Sequence, residues 1–245
     1  EKISGRKGND PVYLLVVGGV TYIMNAFMEP MSTLHGWTRA DIGGAVGLAT
    51  LCGTLSMPVL ASLAMRYSLR LMTTLGMACG GLAFMGLGYA GTLPSFTALF
   101  ALAWVAGQAC GGVVGNALMG NWFVRCRGRA FGLANLGTSL SGALLPFVAL
   151  VLVTLCDVRM AFLVIGGFIL ALVPLCWAVV RDTPEELGLS SDGVPPLASA
   201  APISPIIVPW RNLLVCREAY CIGLSFGFGL LAAAGVLGQL KPRFA

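Results

Sequence analysis

A few polar side chains stand inside otherwise apolar stretches, at spacings that gather them on helix faces. Thr21, Asn25 and Glu29 recur at i, i+4 and i+8, with Tyr22 beside them, and Gln108 and Asn116 fall about 80° apart around a regular helix. In hydrocarbon such groups do one of two things. They hydrogen-bond an oxyanion or solvate its path, or they hydrogen-bond a neighbouring helix. Glu29 is the one acidic residue within an apolar run and is a candidate proton carrier. Its place next to Pro30, near the end of the run, also lets the carboxylate reach interfacial water. Nucleophilic and metal chemistry find no comparable pattern. The single His35 has neither metal-ligand nor triad spacing. The eight cysteines (Cys52, Cys79, Cys110, Cys126, Cys156, Cys176, Cys216 and Cys221) contain no C-x-x-C pair and read as small apolar packing residues. No enzymatic activity, metal or cofactor is expected.

The elements that must hold these residues are membrane helices. Of the 245 residues 57% are hydrophobic and 10% charged, far from the roughly 25% charged residues of a soluble domain, and the mean hydropathy is +0.87. Seven runs approach or exceed the roughly 20 residues needed to cross a bilayer, at about 12–34, 42–64, 71–92, 95–121, 130–156, 160–180 and 220–240. They lack the alternation of barrel strands, so the expected fold is an all-α integral membrane bundle of six helices, with a seventh after a central linker.

The basic residues sort by alternate loops. Lys2, Arg6, Lys7, Arg66, Arg70, Arg125, Arg127, Arg129, Arg181, Arg211 and Arg217 fall on one side, eleven of the fifteen; Arg39, Arg159, Lys241 and Arg243 fall on the other. The positive-inside bias therefore puts the N-terminus in the cytoplasm, and a bacterial cytoplasmic (inner) membrane is the expected location. Arg125, Arg127 and Arg129 precede a charge-free run from Ala130 to Val153. An arginine at mid-membrane costs roughly 2.5–3.5 kcal/mol on insertion scales, so the fifth helix is expected to begin near Ala130. These loops account for most of the net charge of +5, and no nucleic-acid partner is implied.

The chain thus divides into a polar N-terminal segment (1–11), a six-helix bundle (12–180), a linker (181–219) and a last helix (220–245). Six prolines (Pro184, Pro195, Pro196, Pro202, Pro205 and Pro209) mark the linker as extended, solvated chain. Gly107, Gly111 and Gly115 repeat every four residues, as do Gly43 with Gly47 and Gly76 with Gly80. Together with Gly132 and Gly137 they read as positions where helices approach closely. Pro58, Pro146 and Pro174 are expected to bend or open their helices.

Three stretches carry a family resemblance: Trp122 to Gly137 (WFVRCRGRAFGLANLG), Gly36 to Ile42 (GWTRADI) and Arg181 to Leu189 (RDTPEELGL). The first resembles the fifth-helix signature of monocarboxylate transporters and the related oxalate/formate antiporters, within the major facilitator superfamily. The others resemble that family's start of helix two and exit from helix six. Thr38 and Asp41 also make a capping arrangement that fixes the start of that helix. Ala61 to Arg70 (ASLAMRYSLR) resembles the superfamily's loop motif after helix two, with Arg66 and Arg70 in place. Met65 stands where the family usually has Asp, and Ser68 where it has Gly. The resemblance implies that helices one and four line a central cavity. Thr21, Tyr22, Asn25, Gln108 and Asn116 then become cavity candidates, with small organic anions as cargo and protons as a candidate coupling ion.

Two functions follow. One is secondary active transport of small organic anions by alternating access. The other is a transport-inactive structural or assembly subunit of a larger membrane complex. Both expect helices beyond those seen here, or other subunits, to close the bundle, and Glu1 at the start suggests a processed or incomplete chain.

Overall fold

The computed structural model describes residue 27 and residues 30–32, 34–123 and 126–184. Residues 1–195 form one compact unit and 196–245 a second, and every described residue belongs to the first. Most of the first expected span, the linker beyond Pro184 and the last span lie outside the described residues.

Among the described residues the structure is helical throughout. The helices are α1 (Arg39–Ala64), α2 (Leu69–Leu87), α3 (Leu93–Gly107), α4 (Val113–Trp122), α5 (Arg127–Leu155), α6 (Val158–Ala171) and α7 (Val173–Val179). A π-helical turn, Gln108–Gly112, joins α3 to α4 without a break, and α6 passes into α7 through a turn at Leu172. Five stretches result that are long and apolar enough to cross a membrane: Ala40–Ala64, Leu69–Leu87, Leu93–Trp122, Arg127–Leu155 and Val158–Val179. They agree closely with expected spans two to six.

Local chemistry explains most of the helix ends. Gly36, with φ +68°, turns the chain into α1, and its N–H donates to the Ser32 carbonyl at 3.0 Å. The expected cap then forms. The Asp41 N–H donates to Thr38 Oγ1 at 3.2 Å, and Asp41 Oδ2 accepts from the Thr38 N–H at 3.0 Å and its hydroxyl at 2.6 Å. Ser68 and Thr92 cap α2 and α3 through the N–H groups of Leu71 and Ser95, each at 3.4 Å. α5 begins at Arg127, about one turn earlier than Ala130. An arginine in a first turn keeps its stem on the helix while its head stays in water, so charge sets the membrane boundary rather than the first helical residue.

α2 sits between α3 and α6, and α1 lies against α3. At the end bearing Gly36 and Gly91, stacked aromatics fill the core. Phe27 and Phe162 lie 4.1 Å apart by ring centroid, Phe96 and Phe100 6.1 Å, and Trp37 and Phe96 5.6 Å. Arg159 closes this end, donating from Nε to the Gly88 carbonyl at 3.1 Å with its guanidinium 4.9 Å from the Tyr89 ring centre. A second cluster at the opposite end gathers Leu69, Met77, Cys110, Val114, Leu118, Cys176 and Val180.

The glycine expectations divide. A Cβ on Gly76 would lie 3.0 Å from the Ala106 carbonyl oxygen and 3.1 Å from the Ala109 Cβ, so backbone contact between α2 and α3 needs glycine there. Gly111, Gly115 and Gly137 are buried and Gly107 half-buried. Gly43, Gly47 and Gly132 have no described atom within 4 Å of a Cβ. Gly132 lies on a helix whose described faces are largely exposed. Of the three prolines, only Pro174 stands at an interruption. α1 runs through Pro58 and α5 through Pro146 without a break in helical structure.

Candidate functional site

The basic end of the bundle is tied together by the first residues after α7. Asp182 Oδ1 accepts the Arg70 backbone N–H at 2.6 Å, at the first turn of α2, where a carboxylate is favoured by unsatisfied N–H groups and the helix dipole. The Arg70 side chain turns the other way: Nε donates to the Trp177 carbonyl at 2.8 Å, and the guanidinium carbon lies 3.9 Å from the centre of the Trp177 ring. From α4, Trp122 Nε1 donates to the Arg181 carbonyl at 3.1 Å and Asn121 Nδ2 to the Asp182 carbonyl at 3.3 Å. Helices α2, α4 and α7 thus share one clasp, in which Arg70 has a defined place. Arg66 and Arg129 are exposed, and Arg125 lies outside the described residues.

The π-helical turn reshapes the polar face of α3 and α4. The Val113 N–H reaches back five residues to the Gln108 carbonyl, so this turn holds one more residue than an α-turn. Eight residues from Gln108 to Asn116 then advance like seven. Their offset falls from about 80° to roughly 20°, and the two amides stand two turns apart on nearly one line. Gly112, with ψ −90°, provides the room, because a Cβ there would collide with the Gln108 carboxamide oxygen. Gln108 is half-buried and Asn116 exposed.

Asn116 continues into a cleft of about 360 Å³ lined also by Ala117, Gly120, Asn121, Arg127 and Phe131. Arg127 bridges the α4–α5 connection, its Nη2 donating to the Gly120 carbonyl at 3.2 Å. Among the described residues the cleft lining carries one cation, two carboxamides and no carboxylate. Of the remaining candidates, Thr21, Tyr22, Asn25 and Glu29 lie outside the described residues. Among the described residues no group of three or more His, Cys, Asp or Glu side chains could hold a metal ion.

Residues 12–243 match the Major Facilitator Superfamily. The chain belongs to that superfamily. Its fold is similar to that of a bacterial homolog of the human lysosomal transporter Spinster. Against the inward-facing, unoccupied structure the TM-score is 0.58 at 16% identity, covering 71% of this chain and 42% of that one. Against the inward-facing, occupied structure the TM-score and identity are the same, and the coverage is 71% and 43%. The chain therefore spans less than half the length of these relatives. No curated protein matches it. Superfamily membership, with five long apolar helices in the described residues, makes this an integral, multi-pass membrane protein with a major-facilitator-type bundle.

Within the superfamily's loop motif, the departures now have local roles. Ser68, in place of Gly, caps α2 through its hydroxyl. Met65, in place of Asp, is 80% exposed, and a carboxylate binds at the start of α2 from Asp182, 112 residues beyond Arg70. Sequence reasoning singled out the Arg181–Leu189 stretch by resemblance but did not pair it with Arg70. Trp177 it missed, and to Trp122, which opens the signature stretch, it gave no contact, although aromatics at the ends of apolar runs mark membrane interfaces.

Proposed function

We propose that the protein is a secondary active transporter of small organic anions, monocarboxylates or related carboxylates, working by alternating access. The observation that carries this reading is the alignment of Gln108 and Asn116 by the π-helical turn. It makes one polar line on an otherwise apolar membrane helix, in a superfamily bundle. Polar groups inside a membrane are costly, and π-turns inside helices often mark functional sites. The three motif resemblances supply the substrate class and point to the monocarboxylate and oxalate/formate branch. Thr21, Tyr22 and Asn25 complete the cavity in this reading, and Glu29 is the candidate for proton coupling in symport or antiport.

In this reading, which the basic-loop division supports, the Arg127 end faces the cytoplasm of a bacterial inner membrane, with the N-terminus on the same side. The seven spans form part of a larger bundle whose remaining helices cover the cavity face. Uptake of radiolabelled lactate, formate and oxalate by liposomes containing the full-length protein tests the reading. Saturable uptake of at least one anion is expected, with Gln108→Ala or Asn116→Ala raising KM. No saturable uptake of any of them, from a correctly inserted protein, sinks the assignment and favours a structural subunit.

A further inference from the structure

We propose that the cleft between α4 and α5 is an oxyanion-binding site centred on Arg127, separate from the Gln108 region of the membrane interior. Three observations meet there. The cleft holds about 360 Å³, within the range of roughly 300–1,000 Å³ usual for ligand sites. Among the described residues that line it Arg127 is the one cation, and its Nη2 donates to the Gly120 carbonyl at 3.2 Å. A guanidinium offers five N–H donors in a planar fork that fits a carboxylate or phosphate edge, and among the described residues no acidic side chain lines the cleft. Finally, Gly120 lets the guanidinium lie against backbone, since a Cβ there would be 3.3 Å from Arg127 Nη2. Arg127, an exposed residue, shares this cleft with the carboxamides of Asn116 and Asn121. Phe131 supplies an apolar wall for the rest of the ligand.

The required ligand chemistry is a small oxyanion: the carboxylate of a free organic anion, or the phosphate of an anionic lipid headgroup. If it is the carboxylate, the inference deepens the transport reading, since Asn116 joins the cleft to the line running up to Gln108. Arg127 then docks the anion at the mouth of its path.

The test measures binding, so that a failure of transport leaves it intact. The full-length protein is placed in phosphatidylcholine nanodiscs, and equilibrium binding of radiolabelled oxalate is measured by scintillation proximity. In parallel, native mass spectrometry counts phosphatidylglycerol retained from mixed micelles. Arg127→Gln should weaken one of these by at least about tenfold, the scale of a lost charge-assisted hydrogen bond. Arg127→Lys should recover part of the loss, keeping charge without the fork, and Arg129→Gln should bind like the parent. Loss confined to oxalate identifies a free carboxylate, and loss confined to phosphatidylglycerol a lipid phosphate. If both are bound equally by the parent, Arg127→Gln and Arg127→Lys, or if the parent binds neither, the site does not exist. Should Arg127→Gln fail to fold, Arg127→Lys with Gly120→Val, which crowds the guanidinium from its backbone seat, decides by the same readouts.

Discussion

At the scale of single residues, Asp182 ties the segment after α7 to both α2 and α4. Its carboxylate takes a backbone N–H of α2 at 2.6 Å, while its own carbonyl accepts from Asn121. Hydrogen bonds to charged groups contribute roughly 1.5–3 kcal/mol, and partial exposure of Asp182 lowers this toward about 1–2 kcal/mol. Asp182→Ala should therefore reduce thermal stability in detergent, followed by fluorescence size-exclusion chromatography. Asp182→Asn, which keeps an acceptor oxygen, should lose less. Equal losses in both variants would mean that charge at this position matters more than the hydrogen bond. None of this pairing was legible in the sequence. A carboxylate and a helix start 112 residues apart have no shared periodicity, and only a resemblance drew notice to the Asp182 segment. Thr38 and Asp41 were legible because a capping box needs nothing beyond a three-residue spacing.

At the scale of elements, hydropathy and charge located α1 to α5 and the α6–α7 pair to within a few residues, since membrane thickness constrains both length and charge placement. They were silent on the π-helical turn. Whether an N–H bonds four or five residues back changes no residue's hydropathy, and its only trace was the Gly111–Gly112 pair beside Gln108. Glycine spacing also overlooked Gly81 and Gly166, where α2 and α6 touch. A Cβ on Gly166 would lie 2.7 Å from the Gly81 carbonyl oxygen and 2.8 Å from the Met85 nitrogen, whereas one on Gly167 meets nothing within 4 Å. Adjacent substitutions should thus have opposite signs. Gly166→Ala overpacks the interface, costing about 1–3 kcal/mol. Gly167→Ala gains helix propensity of up to about 1 kcal/mol. Thermal stability of the two variants, measured side by side, checks the α2–α6 contact; a Gly166→Ala protein as stable as Gly167→Ala would contradict it.

At the scale of the whole molecule, the orientation in the membrane decides what the clasp and the Arg127 cleft face. Eleven of fifteen basic residues fall on one side of the seven expected spans, and cations in short loops resist transfer across the membrane during insertion. Arg66, Arg70, Arg127 and Arg129 share that side with the clasp, so the same end that concentrates charge also joins α2, α4 and α7. Two native thiols report on the two sides without new residues. Cys126 precedes α5 at the basic end, Cys156 follows it at the other, and both are exposed. In single-cysteine variants that keep one or the other, a membrane-impermeant maleimide applied to intact cells should label Cys156 and spare Cys126 until the membrane is opened. The reverse pattern would turn the molecule over. The Arg127 cleft would then meet anions arriving from outside.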